Sequence, residues 1–168
     1  AYRSSTGEFG KGAKVATALS TQFKAISKSY IENVVSMLHT ENGVIVKTES
    51  APAENTPSGV IVAFQLDMSF FTDLAGVNFG MANYNDVVNM CRRLSIFNEI
   101  ATFRVFRSEH LLPASFWNND IPKSIATITR AISASSCEFD SSKEIDKSEY
   151  LFSQWRMSHA PQLSDRVL

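Results

Sequence analysis

Cysteine is scarce in this chain of 168 residues: Cys91 and Cys137 stand far apart, and neither belongs to a C-x-x-C pair. That spacing excludes a disulfide scaffold and a zinc knuckle, and it fits a reducing compartment. Long apolar runs are missing as well, and the N-terminal stretch AYRSSTGEFGKGA has no hydrophobic core of the kind a secretory signal needs. There is no N-x-[ST] glycan acceptor. These absences predict an intracellular protein, cytoplasmic or associated with a virion, that is neither secreted nor membrane-spanning. Charge of one sign is not in excess either. A formal net charge of -1 excludes strong attraction of the whole protein to polyanions and leaves local patches open.

The usual signatures of chemistry are also lacking. GEFGKGAK has the glycines and lysines of a phosphate loop, but Ala13 follows Gly12 where the motif demands lysine, and no strand precedes it. His39, His110, His159, Cys91 and Cys137 are isolated from one another along the chain, so no metal site is expected. The acidic DSSKEIDKSE lacks the glycine that turns a calcium loop and reads as a solvated charged segment. G-x-S-x-G is absent. Cys91 sits beside Arg92 and Arg93, which could favour a thiolate. On the helix drawn below, however, it shares a face with Val87, Val88 and Leu94 and reads as an inert thiol. No cofactor is expected.

What is present is apolar material and a polarised charge distribution. A hydrophobic share of 44% with 20% charged residues is that of an ordinary globular protein, so one core is the default, and 12 Phe supply much of its burial. Residues 1–13 read as a mobile basic arm, 14–159 as one globular domain and 160–168 as a mobile tail. Leu19, Phe23, Ile26, Tyr30, Asn33 and Met37 recur at alternating spacings of four and three, which predicts an amphipathic helix over 14–38 stopped by Glu41-Asn42-Gly43. Residues 44–49 and 59–71 alternate as strands, and the short connection between them predicts an antiparallel hairpin. In GVIVAFQLDMSFF the residues Val60, Val62, Phe64, Leu66, Met68 and Phe70 form the face expected to meet the core. Gln65, Asp67 and Ser69 fall on the side expected to be wet. A helix over 85–97, a strand over 100–107 and a helix over 121–135, started by Asp120 and Pro122, complete an α+β fold: an antiparallel sheet with about three helices on one face.

Two functions follow from this reading. The first is a non-enzymatic, self-associating structural or adaptor protein, such as a viral structural or accessory subunit. It would be a homo-oligomer joined through the helical seam of Leu19, Phe23, Ile26, Tyr30, Asn33 and Met37. It would contact nucleic acid through Lys11, Lys14, Lys24 and Lys28, with Arg92, Arg93, Arg104 and Arg107 as a second basic group. The alternative is a small intracellular enzyme or ligand-binding domain whose site is assembled from distant residues such as Asp67, Cys91 and His110.

Overall fold

Six strands and four helices follow one another in the computed structural model, which describes residues 12–53, 56–70, 79–98, 100–108 and 112–143. Lys11, His110, the 149–159 segment and the 160–168 tail lie outside the described residues. The chain's contacts divide it into two compact units, Ala1–Val77 with His110–Ser133, and Asn78–Glu109 with Ala134–Leu168. The predicted α+β class holds: a four-stranded antiparallel sheet combines with helices.

The first unit begins with helix α1 (Gly12–Ala18) and then departs from the expected long helix. Only residues 14–18 of the expected 14–38 are helical; from Ser20 the chain enters strands β1 (Ser20–Lys28) and β2 (Val34–Glu41), joined by a loop. The reason is local. Thr21, Ile26, Val34, Val35 and Thr40 are β-branched, and four serines between 20 and 36 compete with helical hydrogen bonding. Val35, Met37 and His39 are all buried and alternate at period two, which is the true repeat here.

Asn42 and Gly43, expected to stop a helix, form a two-residue hairpin turn into β3 (Val44–Pro52), with φ of 49° and 79°. An added Cβ on Gly43 would meet nothing within 4 Å, so only the backbone conformation resists substitution there. Gly43→Ala is therefore expected to cost about 1 kcal/mol, read as a lower urea midpoint with an unchanged slope.

Strand β4 (Gly59–Leu66) does not pair with β3, as the predicted hairpin required. The connection crosses the end of the sheet and lays β4 antiparallel beside β1, giving the order β3-β2-β1-β4 of a Greek key. The crossing is anchored at Ala53, which is buried and whose N–H donates to the Asn33 carbonyl at 3.0 Å. After β4 a 3-10 turn, Met68–Phe70, is closed by Asp67.

Two further helices complete this unit, α3 (Ser115–Asn118) and α4 (Ile121–Ser133). The expected start of α4 is confirmed, since Asp120 Oδ1 accepts the Lys123 N–H at 2.9 Å and Pro122 lies in the first turn. Ile121 of α4 is buried with Ile26, Val35, Met37 and Ala53, and Ile125 packs against that cluster.

In the second unit, α2 (Phe79–Phe97) starts earlier than expected. The expected 100–107 strand shortens to β5 (Arg104–Arg107). It pairs with β6 (Ser136–Asp140), a strand absent from the sequence reading that ends on the first residue of the acidic DSSKEIDKSE. Val105 and Phe139 face each other across this pair and are buried. No helix among the described residues is long and apolar enough to cross a membrane.

Candidate functional site

Cross-strand partners share a face, so the register sorts the first unit's sheet into two sides. One side carries Gln22, Lys24, Ile26 and Lys28 of β1, opposite Val35, Met37, His39 and Glu41 of β2 and Gly59, Ile61, Ala63 and Gln65 of β4. Lys47, Glu49 and Ala51 of β3 continue it. This side lies under α3 and α4. The other side carries Val60, Val62 and Phe64 of β4, Phe23, Ala25 and Ser27 of β1, Val34, Ser36, Leu38 and Thr40 of β2, and Ile45, Thr48 and Ser50 of β3.

Charge is segregated between the two sides in an unusual sense. Lys24, Lys28, Glu41, Lys47 and Glu49, the charged side chains of these four strands, all fall on the helix-covered side. The opposite side has none; there Phe23 and Thr40 are buried, at 4% and 2% exposure, while Val60, Val62 and Phe64 of β4 are exposed. An antiparallel sheet ordinarily shows the reverse, with apolar residues inward and charges in water. The expected orientation of β4 is thus overturned: Ala63 is buried and Ile61 half-buried, while Val60, Val62 and Phe64 are 68%, 51% and 51% exposed.

Beneath the helices lies a buried lysine. Lys24 is 1% exposed, and its ammonium donates to the Phe116 carbonyl at 2.6 Å, the Asn119 carbonyl at 3.1 Å and Ser124 Oγ at 3.2 Å. Three donors meet three acceptors, two of them carbonyls at the C-terminal end of α3, where a cation is favoured. Nζ also lies 4.8 Å from the Phe116 ring centroid. His39, the cross-strand neighbour of Lys24, donates from Nε2 to Gln22 Oε1 at 2.6 Å and stacks on Trp117, with ring centroids 6.2 Å apart. Glu49 completes the floor by accepting the Ile121 N–H at 3.3 Å and pairing with Lys47 at 3.1 Å.

Burial pulls Lys24 down from 10.5 to about 8; Lys47 adds to the effect, and Glu49 and Asp120 oppose it. His39 is lowered too, first by burial and then by Lys24. A lowered lysine marks a candidate nucleophile only where an electrophile can reach it. Here every N–H is engaged and the amine is sealed, so the cluster works as a clamp holding the α3–α4 corner to the sheet.

Chain comparison adds no shortcut. The sequence matches no known family model and no curated protein.

Of the lysines expected to face nucleic acid, Lys14 is exposed on α1, Lys24 points into the interior and Lys11 lies outside the described residues. Lys28 donates to the carbonyls of Ser29 and Glu32 at 3.2 and 3.0 Å and so holds the β1–β2 loop. With the long helix gone, these residues share no helical face. In the second unit Arg92 bonds Asn89 Oδ1 at 3.1 Å and sits 5.5 Å from the Phe139 ring centroid, and Arg104 pairs with Asp140 at 3.1 Å. Arg93 and Arg107 are exposed.

The helical seam dissolves in the same way. Phe23 is buried on the side of the sheet away from α3 and α4, Ile26 and Met37 are in the core opposite, Leu19 precedes β1, and Tyr30 and Asn33 occupy the β1–β2 loop, where Tyr30 is 84% exposed.

The residues of the alternative reading have local duties where they are described. Asp67 Oδ1 accepts from Ser69 N–H at 2.9 Å and Ser69 Oγ at 2.6 Å, bonds that hold its carboxyl below the usual range and close the 3-10 turn. Cys91 is half-buried on α2. Among the described residues no group of three His, Cys, Asp or Glu could hold a metal ion.

A cavity of ≈ 250 Å³ opens between β4 and α4, with Ile26, Val35, Ile61 and Ile125 at its base and the loop from Thr56 to Ser58 at its rim. In the second unit a shallow one of ≈ 240 Å³ follows β6 from Cys137 to Asp140. Both are smaller than typical small-molecule sites.

Proposed function

We propose that the protein is a non-enzymatic, self-associating structural or adaptor protein, and that the uncharged side of its four-stranded sheet is the surface through which it assembles. The supporting observation is the placement of Val60, Val62 and Phe64, each more than half exposed, in one row on a sheet face that bears no charged side chain. Such a face is costly to leave in water, and contiguous exposed apolar surface of this kind marks interaction sites. The alternative of an enzyme draws no comparable support. Among the described residues the one strongly perturbed amine, Lys24, has its three donors satisfied within the fold.

Nucleic-acid contact through the basic residues draws less support than assembly, because Lys24, Lys28 and Arg104 already serve the protein's own carbonyls and carboxylate. The test is multi-angle light scattering over protein concentrations of about 1 to 100 μM, the range in which a modest interface populates. A mass that rises with concentration and persists at high salt is the expected result, since apolar contacts are not screened. A strictly monomeric chain would remove the reading. An oligomer that dissociates in salt and copurifies with nucleic acid would transfer it to the basic residues.

A further inference from the structure

We infer that the cavity between β4 and α4 binds a small aliphatic carboxylate, with its chain against the isoleucines and its head group on Lys28. The inference stands apart from the assembly reading. The sheet itself builds the space. On the helix-covered side Lys28 has Val35 beside it on β2 and Gly59 beside it on β4, and two residues earlier Ile26 faces Ile61. Gly59 puts no side chain into that row, and a Cβ added there would meet nothing within 4 Å. Ile125 of α4 supplies the facing wall. The rim is fixed by the fold, because the Ala53 N–H donates to the Asn33 carbonyl at 3.0 Å and the Thr56 N–H to the Ala53 carbonyl at 3.3 Å, so little ordering is left for a ligand to impose. Size limits the guest. An apolar cavity of about 150 Å³ takes one benzene, so ≈ 250 Å³ takes roughly ten non-hydrogen atoms, the size of octanoate.

The lining is graded from end to end. Ile26, Ile61 and Ile125 supply hydrocarbon within the sheet, while Lys28, Thr56 and Ser58 gather at the loop end. Water inside the cavity meets hydrocarbon on most sides, so an alkyl chain displaces it favourably. Lys28 sets the head group. Its ammonium donates to the carbonyls of Ser29 and Glu32 at 3.2 and 3.0 Å, which uses two of its three N–H groups, and no carboxylate among the described residues takes the third. Its carbonyl partners are uncharged and leave the positive charge uncompensated, so an anionic oxygen is the strongest third acceptor available to it. An amine in the same position meets like charge. A carboxylate on a short alkyl chain satisfies both ends of the cavity at once.

Titration of the full chain, labelled at its isoleucine methyls for NMR, with octanoate and with octylamine tests this. Octanoate is expected to shift the methyls of Ile26, Ile61 and Ile125 saturably, with a dissociation constant of roughly 0.1 to 1 mM for a ligand of this size. Ile45, on the opposite side of the sheet, is expected not to move. Octylamine is expected to bind about tenfold more weakly or worse. Lys28→Met keeps the stem and removes the charge, and it is expected to weaken octanoate about tenfold and to erase the preference over octylamine. Lys28→Arg, which keeps the charge and the donors to the loop, is expected to bind octanoate within about threefold of wild type, and it guards against a Met variant whose loop is disturbed. Equal binding of the two probes that Lys28→Met leaves untouched overturns the proposal, because the head-group contact is then absent. Shifts that spread to Ile45 without saturating, or no shifts at up to about 10 mM octanoate, overturn it as well.

Discussion

Truncating Lys24 to alanine is expected to lower the stability of the first unit by about 3 kcal/mol. The substitution opens a hole beneath α3. It also strips the carbonyls of Phe116 and Asn119 and the hydroxyl of Ser124 of the donor that joins them. Lys24→Met separates these costs. Its unbranched stem fills the same space, so the remaining loss of about 1 kcal/mol reports the missing donor, partly offset by relief of a buried charge. Urea melts of the two variants against wild type provide the check. If alanine at this position melts with the parent, the clamp contributes nothing.

Stability is also expected to rise as the solution becomes alkaline. Lys24 titrates near 8 in the folded protein and at 10.5 when unfolded. Between those values the unfolded chain holds a proton that the folded chain has released, and raising the pH then favours folding. Below about 8 both states carry the proton and the gain is absent; above 10.5 both have lost it and the gain is complete. The full displacement corresponds to about 3 kcal/mol, which solvent screening at the rim of the cluster reduces to about 2 kcal/mol. His39 acts in the same sense at lower pH: its lowered value makes stability fall as pH drops through the ordinary histidine range. Urea midpoints measured from pH 7 to 10.5 are expected to climb for wild type and stay flat for Lys24→Met. A flat wild-type profile would show that burial does not perturb this lysine.

Much of the architecture was readable in the residues, and the parts that were not have physical causes. Helix α4 announces itself because Asp120, Pro122 and the isoleucine spacing agree. β1 and β2 were hidden because Leu19, Phe23, Ile26, Tyr30, Asn33 and Met37 fit a helical repeat by chance of composition. The contrary signals were the buried alternation of Val35, Met37 and His39 and the Asn42-Gly43 turn. Which side of β4 faces inward could not be read from β4 alone, since both of its sides are apolar. The register that sets Ala63 beside Lys24 decides it. Lys24 itself looks like any surface cation in the sequence, because its acceptors lie 92 to 100 residues away. The same distance explains why a charge-based search for a basic patch included it.

The strand order also imposes a timetable on folding. The β2–β3 ribbon closes around a two-residue turn, a microsecond event, and β1 joins across the short loop that follows it. β4 must return from beyond both to find β1, pairing Ser27 with Val60, and so it bears the largest loop-closure entropy in the sheet. Until it arrives, the flank of β1 that it will occupy is open to any extended chain nearby. A nascent copy could insert its own β4 there, making exchanged strands the characteristic misfolding hazard of this topology.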